Sequence, residues 1–433
     1  MSILIKDILA VMPDMNARKT NICIENEKII AIDDIPADFC ADTVISGERK
    51  LLTPGFINAH THAYMTPFRN WADDLDFSTW LFDRITPAEN KMTAIGAYWG
   101  AMLSCMEMIK SGTTCFLDMH MHPTSSVKAA LDSGMRAVIS RGLAGGEDDV
   151  EGGTRRLAEA LSEYDACHKF PTIGFMLAPH APYSCDEAYL CDISAYAKDM
   201  GLGIHTHLSE SRSEVQNCIE KYGVSPIGLF DRCGLLNEKT VAAHCVHLSD
   251  DDIALLAERG VNVAVNTGSN LKLGNGIARV TAMKDAGINL CLGTDGASSN
   301  NSLSMLREMQ LISLIHKGVR EDPLAISARD AFAMATVGGA KALGLEGKAG
   351  AVKEGYFADL AIFDLDTPAL NPLGDPVAAI CYSSAGVNAD TVIINGRIVL
   401  KDGEFTGIDM QRVKFNVERC CKLIGTMGDD ENV

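Results

Sequence analysis

Histidine and carboxylate side chains recur in this chain at spacings that could hold a metal ion. His60 and His62 stand at i and i+2, at the polar tip of the apolar run that starts at Pro54. Alternate side chains of a strand share a face, so two imidazoles at a strand end can grip one ion. His205-Thr206-His207-Leu208-Ser209-Glu210 repeats the pattern, His244 closes another apolar run, and Asp295 sits in Gly293-Thr294-Asp295-Gly296. Three imidazoles and one carboxylate suit zinc or ferrous iron and leave a position for water. A metal brings the pKa of such water to about 7, and a neighbouring carboxylate can then shuttle protons. Taken singly, each signal is weak: Asp295 could cap a helix and His244 could be a hydrogen-bonded barrel histidine. Their joint placement at successive strand ends is what points to a site.

The elements that must position these residues alternate. Apolar, strand-like runs occur at 55–62, 113–119, 137–143, 173–179, 203–208, 241–248, 261–266 and 289–294. Helix-period segments follow at 87–110, 123–133, 154–167, 186–200, 213–221, 250–259, 277–286 and 301–317. Strands that each feed a helix predict a (β/α)8 barrel, whose chemistry gathers at the C-terminal strand ends. The linker from His62 to Thr86 is then expected over the barrel mouth. Both chain ends have a different, β-rich texture, around Ser2–Val11 and Asn21–Asp33 and again from Gly350 to Gly403. One small β-sandwich built from 1–54 plus 346–408 is expected beside a barrel of 55–345. A closing helix and acidic tail take up 409–433.

Composition narrows the class. With 433 residues, 47% of them hydrophobic, the chain can bury the core of a barrel plus a second domain. A formal charge of −19 argues against nucleic acid and anionic membranes as partners, because phosphate binding needs a basic face. The 14 cysteines lack CxxC pairs and read as buried, reduced thiols. Met1–Met15 lacks a basic segment followed by a long apolar one, so no signal peptide is expected. No apolar run reaches the roughly 18 residues of a membrane span, and a cytoplasmic location is expected. Signatures of other enzyme classes (GxSxG, HExxH, a Walker loop, GxGxxG in a strand–helix context) are missing.

The motifs PGFINAHTH, HTHLSE, AAHCVH, SNLKLGNGIA and LGTDGASSNN occur in this order and resemble the amidohydrolase superfamily. Within it they are similar to the 5-methylthioadenosine/S-adenosylhomocysteine deaminases, and ADDLDFSTWLFDRITPAE, RGL and PHAPYSC extend the likeness over nearly the whole chain. The resemblance implies one divalent metal ion, usually zinc, with iron or manganese as alternatives, held by His60, His62, His207 and Asp295. It also implies that Glu210 is the proton shuttle and that His244 orients the attacking water. The family spacing H-x-x-E selects His207 over His205, which is then expected one layer down in the barrel. The implied substrate is a small nucleoside, an adenosine derivative losing its amino group, and relatives are often homo-oligomers.

The same resemblance assigns Glu89 to the ribose hydroxyls, although Thr86-Pro87-Ala88-Glu89 also reads as a helix-capping box. Arg141 and His180 match residues that contact the distal part of the substrate. An arginine there could hold a homocysteine carboxylate in bidentate fashion. A second such arginine corresponds to Arg156, with Arg155 as the other register. Both have an ordinary alternative as ion pairs with the acidic stretch 147–151. His120-Met121-His122 is a second HxH, expected at the pocket rim because no carboxylate shuttle accompanies it. His247, His168 and His316 have no evident role. One departure stands out: relatives commonly read H-N-P-x-S-N where this chain has Val265-Asn266-Thr267-Gly268-Ser269-Asn270. An altered pocket wall is expected there, with the metal set untouched.

Overall fold

The computed structural model describes residues 1–384 and 386–427. The acidic tail expected at 428–433 lies outside the described residues.

The N-terminal strands are β1 (Ser2–Val11), β2 (Ala17–Glu25), β3 (Lys28–Ile32), β4 (Thr43–Ser46) and β5 (Lys50–Pro54). The barrel strands follow as β6 (Phe56–Thr61), β7 (Thr113–His120), β8 (Arg136–Leu143), β9 (Ile173–Pro179), β10 (Gly203–Leu208), β11 (Thr240–His244), β12 (Asn262–Val265) and β13 (Asn289–Leu292). The C-terminal part adds β14 (Leu360–Asp364), β15 (Thr391–Ile394), β16 (Arg397–Lys401) and β17 (Glu404–Phe405).

The eight strands β6 to β13 pair in chain order, all parallel, as the strand–helix alternation predicts. Between β13 and β6 side chains take over from the ladder. Asn58 donates to Thr294 Oγ1 at 2.7 Å and accepts from the Thr294 N–H at 3.0 Å, and the Asp295 N–H reaches the His60 carbonyl at 3.0 Å. The barrel floor is apolar, formed by Ile57, Leu117, Val138, Met176, Val241 and Cys291, with Leu343 beneath. Outward strand residues such as Ile139, Leu177, Ile204 and Leu292 belong to the larger core under the helices. Helix ends follow local chemistry: Pro123–Ser133 stops at Gly134, whose φ of 79° is the left-handed turn that starts β8.

The strands from the two chain ends form one sheet in the order β17-β16-β15-β14-β5-β1-β2-β3, with β4 on β1. Its core joins Ile3, Ile5, Ile22 and Ile24 from one end to Leu360, Ile362 and Ile393 from the other. The outer strand β3 meets Gly355 and Tyr356, which folds the sheet around that core. A buried ion pair ties it to the barrel: Arg136 on β8 donates to Asp359 at 2.8 Å and lies 4.0 Å from the Phe357 ring centroid. The last helix, Met410–Ile424, buries Val413, Val417, Cys420 and Ile424, one stripe at helical spacing. It is linked to the mouth segment through the Thr426 hydroxyl, which donates to the Pro67 carbonyl at 2.6 Å.

Two expectations change in detail. The strand expected at 241–248 ends at His244, because His244 and Cys245 take positive φ values of 71° and 47°. The helix expected at 87–110 is broken: Thr86–Glu89 follows a π-helical turn over Thr79–Ile85, and Thr93 caps a separate helix, Ala94–Lys110. All 14 cysteines are free. Among the described residues no helix is long and apolar enough to cross a membrane.

Candidate metal centre and active site

The strand ends of the barrel converge on one cavity lined by His62, His207, Glu210, His244, Asp295, His180 and Glu89. The linker after β6 covers it, as expected, through Tyr64, Met65, Phe77, Trp80 and Leu81. A register shift in β6 between Asn58 and Thr61 changes which side chains face inward. Ile57 and Ala59 pack in the floor, and His60 and His62 take the level above. Gly293 is required for this approach, since a Cβ there would meet Asn266 Oδ1 at 2.3 Å and His60 Cβ at 2.8 Å. Ser209, His244 and Asp295 have φ values of 52°, 71° and 60°, costly for side-chain-bearing residues. Strand ends bent this way turn the side chains into the cavity.

The potential ligand atoms of His60, His62 and His207 lie within 4.8 Å of one another, and so do those of His60, His244 and Asp295. Asp295 Oδ1 is 3.3 Å from His60 Nε2 and 3.4 Å from His62 Nε2, and the Nε2 atoms of His62 and His207 are 3.2 Å apart. The other nitrogens are engaged. His62 Nδ1 donates to the Met119 carbonyl at 2.9 Å and His207 Nδ1 to the His180 carbonyl at 2.7 Å, which leaves a lone pair on each neutral ring's Nε2.

His60 is fixed by a longer chain of bonds. Ser140 donates its one hydroxyl proton to the Asp118 carbonyl at 2.7 Å, so its oxygen must accept from His205 Nδ1 at 2.9 Å. Neutral His205 then accepts at Nε2 from His60 Nδ1 at 2.7 Å. His60 Nε2 is left as a lone pair, fully buried and without a hydrogen-bond partner. Burial pushes His60 down to about 4 and holds His205 and His207 well below the usual histidine range, so these rings are neutral at pH 7. Neutral imidazoles with converging lone pairs beside a carboxylate are what a divalent cation requires. The site fits one, with His60, His62, His207 and Asp295 as its holders. His205 lies beneath as expected, hydrogen-bonded to His60.

Two buried carboxylates face the site. Burial, and then the neighbouring charge of Asp295, raise Glu210 well above the usual carboxylate range. Asp295 is buried as well, among the imidazoles of His60, His62 and His244. Glu210 accepts from Asn275 Nδ2 at 2.8 Å, and its other oxygen stands 3.8 Å from His244 Nε2. His244 Nδ1 donates to Asn270 Oδ1 at 2.8 Å, which turns Nε2 toward Glu210. Asp295 Oδ2 accepts from Ser269 and Ser299 at 2.7 and 2.6 Å.

The unusual Val265–Asn270 stretch therefore does more than shape a wall. Its Ser269 holds Asp295 and its Asn270 orients His244, because helix Thr267–Lys272 starts directly above β12. Tyr64, Ser140, Asn275 and Glu214 were not singled out by the sequence, although Asn275, like Asn270, lies in the motif SNLKLGNGIA. Glu214 accepts the N–H groups of Ser209 and Glu210 at 2.7 and 2.8 Å and so fixes the strand end that carries Glu210.

The expected substrate contacts fall into two groups. Glu89 and His180 line the cavity. No side-chain cap forms at Thr86; the Glu89 carboxylate instead accepts a short hydrogen bond from Tyr64, so the capping-box alternative is not realised. Arg141 and Arg156 do not line it. The Arg141 guanidinium donates to Glu159 at 2.5 Å and to the Met121 carbonyl at 2.6 Å. Arg156 donates to Asp149 at 2.8 Å, in a neighbouring cleft, and Arg155 is exposed, 3.7 Å from Glu159.

Comparison with known proteins agrees with this geometry. Residues 51–399 match the model of the amidohydrolase family. The 5-methylthioadenosine/S-adenosylhomocysteine deaminase of Acetivibrio thermocellus is 44% identical over 392 residues, 90% of this chain and 91% of that protein. The 5'-deoxyadenosine deaminase of Methanothermobacter thermautotrophicus is 42% identical over 398 residues, 92% of each chain. Among solved structures, an adenosine deaminase from Xanthomonas campestris with bound zinc superposes with a TM-score of 0.92 at 30% identity, covering 98% of this chain and 99% of that one. By matched length, relatives and site, the chain belongs to the amidohydrolase family.

Proposed function

We propose that the protein is a hydrolytic deaminase of adenosine derivatives, with zinc as the ion held by His60, His62, His207 and Asp295. The observation that carries this reading is a pair of buried carboxylates on one cavity, Asp295 among the converging histidines and Glu210 3.8 Å from His244 Nε2, with burial raising the Glu210 carboxyl. Such a pair divides acid from base work at neutral pH. When bound, the divalent ion supplies the Lewis acidity that makes hydroxide available near neutral pH. Glu210 donates its proton to the purine ring nitrogen beside the amino-bearing carbon, which readies that carbon for addition. Asp295 Oδ1 and His244 Nε2 hold the attacking water and take its proton, with His244 kept in register by Asn270. Transfer of that proton to the amino nitrogen releases ammonia, and the added hydroxyl returns its own proton to Glu210, which leaves a carbonyl, the inosyl product.

Glu89 accepts a ribose hydroxyl and His180 borders the same cavity. Arg141 and Arg156 are already matched by carboxylates. Uncharged 5' substituents, as in 5'-methylthioadenosine or 5'-deoxyadenosine, are therefore favoured over the amino-acid tail of S-adenosylhomocysteine. The test is ammonia release from these three nucleosides and adenosine, with guanine as control. Glu210→Ala should lower turnover by about 10²- to 10⁴-fold while metal content stays stoichiometric. Intact turnover in that variant would refute the assignment.

A further inference from the structure

His120 was expected at the rim as a bystander, and its hydrogen bonding says otherwise. Its Nδ1 accepts the backbone N–H of His122 at 2.5 Å, so in the neutral ring the proton resides on Nε2. That Nε2 is buried and has no hydrogen-bond partner, and the ring lines the cavity, where its centroid is 4.2 Å from that of Tyr64. Burial holds the ring well below the usual histidine range, in the neutral form this proton count requires. An unpaired buried donor is costly to keep, and it is relieved only by an acceptor brought in from outside.

Position in the barrel selects the acceptor. His120 ends β7, and His244 ends β11, four steps further along the ring of eight strands and so on the opposite wall. A purine whose reacting edge lies between Glu210 and His244 directs its sugar toward β7. There Tyr64, its ring tilted against that of His120, holds Glu89. A carboxylate acceptor and a ring N–H donor that line one cavity and both touch Tyr64 match a vicinal diol, in which each hydroxyl both donates and accepts.

We propose that His120 is a substrate-binding residue whose Nε2–H donates to a ribose hydroxyl oxygen, paired with Glu89 as acceptor. The proposal rests on the deaminase reading above and adds a specificity determinant to it. The test compares kcat/KM for adenosine and 2',3'-dideoxyadenosine in wild type and His120→Phe. The variant should lose about tenfold on adenosine, the scale of a buried donor left unpaired, and almost nothing on the dideoxy substrate. An equal loss on both substrates, or none on either, overturns the proposal. Should His120→Phe fail to fold, ¹⁵N-histidine spectra of the wild type decide. The His120 Nε2–H resonance should shift with inosine and stay put with 2',3'-dideoxyinosine, and identical responses refute the contact. A wild type inert toward every nucleoside would sink the deaminase reading instead, and the spectra then judge the donor alone.

Discussion

The floor of the cavity and the wall of charge that stands outside its lining treat their polar groups in opposite ways. On the floor, one nitrogen of each histidine is bonded away from the centre and the other is turned in as a free lone pair. On the wall, the charged groups are spent on one another: Arg141 with Glu159, Arg156 with Asp149. A floor of converging lone pairs is incomplete without a cation, whereas the Arg141–Glu159 and Arg156–Asp149 pairs are already matched. Metal affinity is thus built into the barrel, and selection of the substrate is left to neutral hydrogen bonds and shape.

The strongest way to break this contrast is to remove a floor group. Asp295→Ala deletes the one carboxylate of the proposed metal-holding set, and kcat/KM should fall by about 10³-fold or more with metal content below stoichiometric. Ser140→Ala is subtler. Ser140 touches no ligand, but without it His205 can move its proton to Nε2 and donate to His60 Nδ1. His60 would then carry its proton on Nε2, where it cannot bind a cation. Chelator competition should show metal binding weakened about 10- to 100-fold, with the hydroxyl-bearing Ser140→Thr restored. Wild-type affinity in Ser140→Ala would mean that His60 sets its own tautomer.

The same contrast separates what the sequence made legible from what it did not. His60, His62, His207, His244, Glu210 and Asp295 could be read because a barrel brings every strand end to one mouth, whatever the sequence separation. The register shift in β6 and the left-handed backbone at Ser209, His244 and Asp295 were not legible, since they arise from packing across strands. The direction of Arg141 was hidden for a related reason. Its motif places it at the end of β8, but Glu159 and Glu163 in the following helix draw the guanidinium outward. Val265–Asn270 was legible as a departure from relatives, and only the three-dimensional contacts disclose that Ser269 and Asn270 hold Asp295 and His244.

Arg141→Met sharpens the wall side of the comparison. The guanidinium is nearly buried and its loss strands Glu163, so denaturation should report about 1–3 kcal/mol of lost stability. Turnover of 5'-methylthioadenosine and S-adenosylhomocysteine should change by one common, small factor, because neither meets this arginine in the cavity. A loss confined to S-adenosylhomocysteine would show that the arginine leaves Glu159 to bind the substrate carboxylate, and the wall would then no longer count as closed.

The smallest effect comes from the imperfect end of that same cluster. Glu163 Oε2 lies 3.9 Å from Arg141 Nε, and neither atom has a hydrogen-bond partner. Burial pushes the Glu163 carboxyl up to about 7 from its ordinary 4.5, with Arg141 drawing it down and Glu159 pushing it up. A raised folded-state pKa means that the folded chain holds the extra proton between these two values. Its contribution to stability is therefore full below pH 4.5 and is lost as pH rises through 7. Glu163→Gln, which stays neutral throughout, should gain on wild type by about 1 kcal/mol between pH 5 and pH 8, scaled down for a partly exposed side chain. Urea denaturation at the two pH values measures it. A gap that does not move with pH would mean that Arg141 keeps Glu163 ionised, and that the wall is as fully paired there as at Glu159.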